Sequence, residues 1–107
     1  MDDQRQEPRT HLIYYLKVYE TSNNALFGHV VDISKNGLLI TSDKPMQQNA
    51  QYTLEIEDVS TLDDMNTVGV LAECRWCNGD GNDSLFDAGF RLVNPSNQMM
   101  EILDTYR

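Results

Sequence analysis

Positive charge is scarce in this chain. Lys and Arg number 8 against 17 Asp and Glu, a formal net charge of -9 over 107 residues. A field of that sign repels nucleic acid backbones and anionic membranes at long range. The expected partners therefore include neither DNA nor RNA. Long apolar runs are also missing, and none approaches the roughly 20 residues needed to cross a bilayer as a helix, so no membrane insertion is expected. The opening MDDQRQEP has no apolar stretch behind a basic start, which reads as a cytoplasmic protein without a secretory signal. Metal-binding residues are few. The histidines are His11 and His29, and the cysteines are Cys74 and Cys77. A structural zinc site needs four ligands, and these histidines have no carboxylate or cysteine at metal spacing. The CxxC of VGVLAECRWC lies in a strand-like segment, where positions three apart face opposite sides. One core cysteine and one on the other face are expected, with no metal. Nor does any set of residues supply a nucleophile, a base and an anion stabiliser together, so the chain is not read as an enzyme.

What is present is mostly β pattern. Residues 11–20 (HLIYYLKVYE) are rich in aromatic and β-branched side chains. Residues 26–34 and 37–43 flank a Lys-Asn-Gly turn, a strong hairpin signal. Residues 52–58 alternate apolar and polar. Residues 68–78 follow, with Val68, Val70, Ala72, Cys74 and Trp76 assigned to one face, and Glu73 and Arg75 to the other. Residues 84–93 form a sixth segment, where the internal Gly89 signals a bulge or bend. The period then changes. Met99, Ile102, Leu103 and Tyr106 mark one face of a helix over about residues 95–106, with Asn94 as N-cap and Pro95 as first helical residue. The expected fold is mainly β, a six-stranded antiparallel barrel closed against exposed edges, with a C-terminal α-helix. Glu55, Glu57, Asp58, Asp63 and Asp64 read as a solvated acidic surface, or as a docking face for a basic partner.

Two motifs stand out. Arg5-Gln6-Glu7-Pro8-Arg9 is an RxxxR pattern just before the first strand, and Asp32-Ile33-Ser34-Lys35-Asn36-Gly37 is a DxSxxG pattern at the turn between the second and third. Taken singly, the first is ordinary surface charge and the second ordinary turn chemistry. Together, in this order and with this strand plan, the chain resembles the PilZ family, β-barrel domains that bind the bacterial second messenger cyclic di-GMP. The closing GFRLVNP, from Gly89, is similar to the last strand of that family.

That resemblance implies a flexible arm over residues 1–10, a barrel with helix over residues 11–107, and ligand contacts at Arg5, Arg9, Asp32, Ser34 and Gly37. Lys35, Asn36 and His11 are further candidates without an assigned contact. The residue types suit the ligand. Arginine forks pair with guanine O6 and N7 or with phosphate. A carboxylate accepts from the N1 and N2 donors of guanine. Asn36 tolerates the left-handed backbone of a tight turn, and Gly37 permits such a turn and close backbone approach. The implied function is a stand-alone receptor and adaptor whose arm becomes ordered on binding and which signals to an unidentified protein. Motility, biofilm formation and exopolysaccharide secretion are the processes the family suggests. Cyclic di-GMP would be ligand rather than cofactor. The competing reading is the same barrel acting as a protein-binding adaptor without nucleotide.

Overall fold

The computed structural model describes residues 10–34, 37–58, 66–79 and 85–106. Arg5, Arg9, Lys35 and Asn36 lie outside them, as do residues 1–9 of the expected arm; Thr10 already belongs to the first strand. Six strands and one helix follow in order: β1 (Thr10–Glu20), β2 (Ala25–Ile33), β3 (Gly37–Ser42), β4 (Gln51–Asp58), β5 (Asn66–Gly79), β6 (Phe86–Val93) and α1 (Asn97–Tyr106). All strand pairs are antiparallel, and the sheet closes as β1-β2-β3-β6-β5-β4, with β4 returning to β1. The expected barrel is the observed one. No helix among the described residues is long and apolar enough to cross a membrane.

Alternation makes the core. On β3, Leu38, Ile40 and Ser42 are buried between half-exposed Leu39 and Thr41. Leu54 and Ile56 from β4, Val70 and Ala72 from β5, and Ala88, Phe90 and Leu92 from β6 fill the same interior. Ser42 is polar but satisfied, because its hydroxyl donates to the Phe27 carbonyl at 2.6 Å and accepts from the Lys44 amide at 3.2 Å. Glu57, assigned to a solvated surface, is buried instead, at 9% exposure.

The helix starts two residues later than its sequence pattern suggests. Asn94 has φ 47°, a left-handed conformation that turns the chain out of β6. The cap is Ser96, whose hydroxyl accepts from the Met99 amide at 3.1 Å. Met99, Ile102 and Leu103 then join the barrel core as the helical spacing requires, and the helix packs against β5.

Two β-bulges decide which side chains reach the outer surface. On β2, Val30 pairs with Ile40 and Asp32 with Leu39, so Val31 is an extra residue. Strict alternation would put Asp32 on the same face as Val30. The extra residue reverses the parity: Ile33 is buried and Asp32 is half-exposed. On β5, Cys74 pairs with Phe90 and Trp76 with Gly89, so Arg75 is extra. The face assignment from sequence fails there. Trp76 leaves the core face and is 39% exposed. Cys77 turns back to pack against the core beside buried Cys74, so the two thiols do not lie on opposite faces. Both are free.

Candidate functional site

The two bulges face one depression. Its room is about 180 Å³, and Asp32, Ser34, Gly37, Leu39, Arg75, Trp76 and Gly89 contribute to its lining. Cross-strand register explains the grouping. Asp32 on β2 opposes Leu39 on β3, Leu39 opposes Gly89 on β6, and Gly89 opposes Trp76 on β5. These four residues form one row across the outside of the barrel. At the usual strand separation Asp32 and Trp76 stand roughly 14 Å apart along it. Gly89 makes the middle shallow, and the Trp76 indole lies over it, where a β-carbon would collide with the ring nitrogen.

At the rim, Ser34 and Gly37 close the β2–β3 turn. The Ser34 amide donates to the Gly37 carbonyl at 3.0 Å, and its hydroxyl reaches the same oxygen at 3.4 Å. That second contact is the turn chemistry expected of a serine here, and it leaves the hydroxyl lone pairs to accept. No described glycine has a positive φ, so the need for glycine at position 37 has another cause. A β-carbon there would strike the Phe90 backbone carbonyl on β6.

β1 enters beside this rim. Thr10 opposes Ile33 and His11 opposes Asp32, so the backbone of His11 extends the row by one strand. In the sequence the RxxxR motif directly precedes Thr10. The depression is smaller than the roughly 300–1,000 Å³ of a typical small-molecule site.

Beside the depression, whose lining includes the Asp32 carboxylate, lies a three-residue charge group. Arg91 on β6 donates to Glu73 Oε1 from Nη2 at 2.7 Å and from Nε at 3.2 Å, and Arg75 Nη1 approaches the same oxygen at 3.5 Å. The hydrogen bond from Arg91 is the largest influence and holds the Glu73 carboxyl below its ordinary value; desolvation, the next largest, opposes it, and the charges of Arg91 and Arg75 add to the lowering. Among the described residues, Arg75 is the cation that lines the depression. Beneath the wall, burial pushes the Cys74 thiol up, the neighbouring Cys77 adds to this, and a backbone hydrogen bond from Trp76 partly offsets it.

Arg75 and Trp76 were not among the residues singled out by motif. The available signal was Gly89, which marked an irregularity but not the strand carrying it. Two further depressions, of about 170 and 300 Å³, lie around Leu26 at the opposite end of the barrel and contain none of the motif residues. No cluster of three or more His, Cys, Asp or Glu among the described residues could hold a metal.

A closed six-stranded barrel with a C-terminal helix and DxSxxG at the second turn defines a PilZ-type domain. The PilZ domain family model matches residues 3–106, so the chain belongs to that family. Among solved structures, the Bacillus subtilis inhibitor of motility MotI/DgrA is similar at TM-score 0.72 and 16% identity, covering 98% of this chain and 50% of that one. This chain thus spans half of that protein. The PilZ domain of YcgR from Escherichia coli, solved with cyclic di-GMP, is similar at TM-score 0.67 and 14% identity, covering 97% of this chain and 92% of that one. No curated protein matches the sequence.

Proposed function

We propose that this domain is a cyclic di-GMP receptor acting on a partner protein rather than an enzyme. One observation carries the reading: Asp32, Ser34 and Gly37 line a single depression beside the point where β1 begins. The presence of cyclic di-GMP on the YcgR domain supports it. In this reading Asp32 accepts from N1 and N2 of one guanine, a donor edge that suits a carboxylate. Ser34 accepts from or bridges to the ligand at the turn. The exposed Trp76 ring offers a flat face for a purine, a contact worth roughly 1–3 kcal/mol per base. Arg5 and Arg9 close over the ligand from the β1 side, pairing with guanine or phosphate. Their closure changes the surface beside the rim and so alters what a partner meets, a switch driven by differential affinity.

Titration calorimetry tests this. Cyclic di-GMP should bind the wild-type chain at a defined stoichiometry, and Arg9→Ala should weaken it at least about tenfold, the loss of one charge-assisted pair. Absence of heat with wild type would overturn the reading. Equal heats for both proteins would remove the arginine arm from it.

A further inference from the structure

A dianionic ligand approaching a protein of net charge -9 needs cations at its landing point. On the barrel wall the described lining contains the carboxylate of Asp32, which repels phosphate, and one guanidinium, that of Arg75. Arg75 is the extra residue of the β5 bulge, beside Trp76. Its partner Glu73 is shared unequally. Arg91 grips Oε1 through two nitrogens, at 2.7 and 3.2 Å, whereas Arg75 touches the same oxygen through one, at 3.5 Å. The Glu73 side chain is 17% exposed, while those of Arg75 and Arg91 are 55% and 50% exposed.

This asymmetry has a chemical consequence. Arg91 alone satisfies and neutralises Glu73, so Arg75 can leave without stranding a partly buried carboxylate. A long, exposed, single-nitrogen contact is weak. A phosphate offers the same fork a better acceptor with bidentate geometry. Arg91 lies between Glu73 and Gly37 in register, so this group borders the turn that closes the site.

We propose that Arg75 is a releasable cation of the ligand site, which Glu73 holds at rest and a ligand phosphate captures, with Arg91 as the fixed counter-charge that makes release cheap. Glu73 then acts as an affinity-setting competitor. The proposal rests on the cyclic di-GMP reading and adds to it a phosphate contact from the barrel wall.

A double-mutant cycle by calorimetry with cyclic di-GMP tests it. Arg75→Gln should weaken binding about ten- to one-hundredfold, in the range of one charge-assisted contact. Its affinity should also depend less on added salt. Arg75→Lys should recover part of the loss. Glu73→Gln should tighten binding about two- to fivefold, since an exposed competing pair is worth little. In an Arg75→Gln background the Glu73→Gln gain should disappear, which is the coupling that a merely structural role would not produce. Wild-type binding with an unchanged Arg75→Gln variant, or a Glu73→Gln gain that persists without Arg75, would overturn the proposal and leave the receptor reading standing. A silent wild type would overturn both.

Discussion

The Trp76 indole lies over the α-carbon of Gly89, directly across the β5–β6 ladder, and only a residue without a β-carbon fits beneath it. The bulge on β5 turns the ring outward, and the glycine on β6 gives it a place to lie. Neither feature would position the ring alone.

Gly89→Ala should therefore lift the indole. Trp76 is the chain's single tryptophan among five tyrosines, so fluorescence under tryptophan-selective excitation reports on this ring alone. The variant should show a shifted emission maximum and a roughly tenfold weaker cyclic di-GMP affinity, the lower end of one stacking contact. Fold stability should fall by only about 1–2 kcal/mol, because an exposed ring can swing away rather than force apart a core. An unchanged emission maximum would contradict the packing.

Asp32→Asn separates binding from folding. The carboxylate is outward of the core, so the melting temperature should move by no more than a few degrees. The amide offers only one acceptor oxygen and adds donors that face those of guanine. Calorimetry should show a loss of about ten- to one-hundredfold, matching the roughly 1.5–3 kcal/mol of hydrogen bonds to a charged acceptor.

Gly37→Ala should act in the reverse order, on stability first. Its β-carbon meets backbone rather than a flexible side chain, so β3 and β6 must separate at that pair. Urea denaturation should show a cost of about 1–3 kcal/mol. A midpoint equal to wild type would mean that the two strands have slack there.

Acid should expose the Glu73 group. Its carboxyl is held below the ordinary 4.5, chiefly by the Arg91 hydrogen bond. A group with a depressed folded-state pKa contributes stability that is present above its unfolded value and lost as pH falls through the folded one. Thermal midpoints of wild type should therefore drop below about pH 4.5, and Glu73→Gln should show a shallower acid limb in the same window. Identical limbs would show that the pair adds nothing to the folded state.

The thiols should react in sequence. Cys77 is half-buried, whereas Cys74 is fully buried and its thiol is pushed up by that burial. A chromogenic disulfide reagent at mild alkaline pH should modify one thiol per folded chain quickly, and Cys77→Ser should abolish that phase. The second should follow only at the rate of opening. Simultaneous modification of both would contradict the burial.

The strands and helix were legible because each is a local pattern. The Asn-Gly hairpin signal before 37–43, the alternation on 52–58 and the spacing of Met99, Ile102 and Leu103 are properties of single segments. The bulges were not legible in the same way, since each is a relation between two strands. Val30 and Val31 in succession are compatible with any buried strand, and only pairing with Ile40 and Leu39 shows that one of them is extra. The Trp76 error has the same origin: alternation was carried through Cys74 as though the ladder had no insertion. Asn94 and Ser96 are both good caps by composition, and the left-handed turn at Asn94 passes the role to Ser96. Of the site, Asp32, Ser34 and Gly37 were readable because they lie close together in the chain. Arg75 and Trp76 were missed because they reach the same hollow only through register.

The doubled valine on β2 makes the hollow's chemistry a matter of counting. Removing Val31 would leave every other letter of the chain intact and give the hairpin a more regular ladder. It would still leave Asp32 opposite Leu39 on the outside and Ile33 opposite Leu38 within, because alternation from Val30 then reaches the same pairs without the insertion. One codon lost here should thus be milder than one lost at the next position, which regularises the same ladder but sets Val31 where Asp32 now stands.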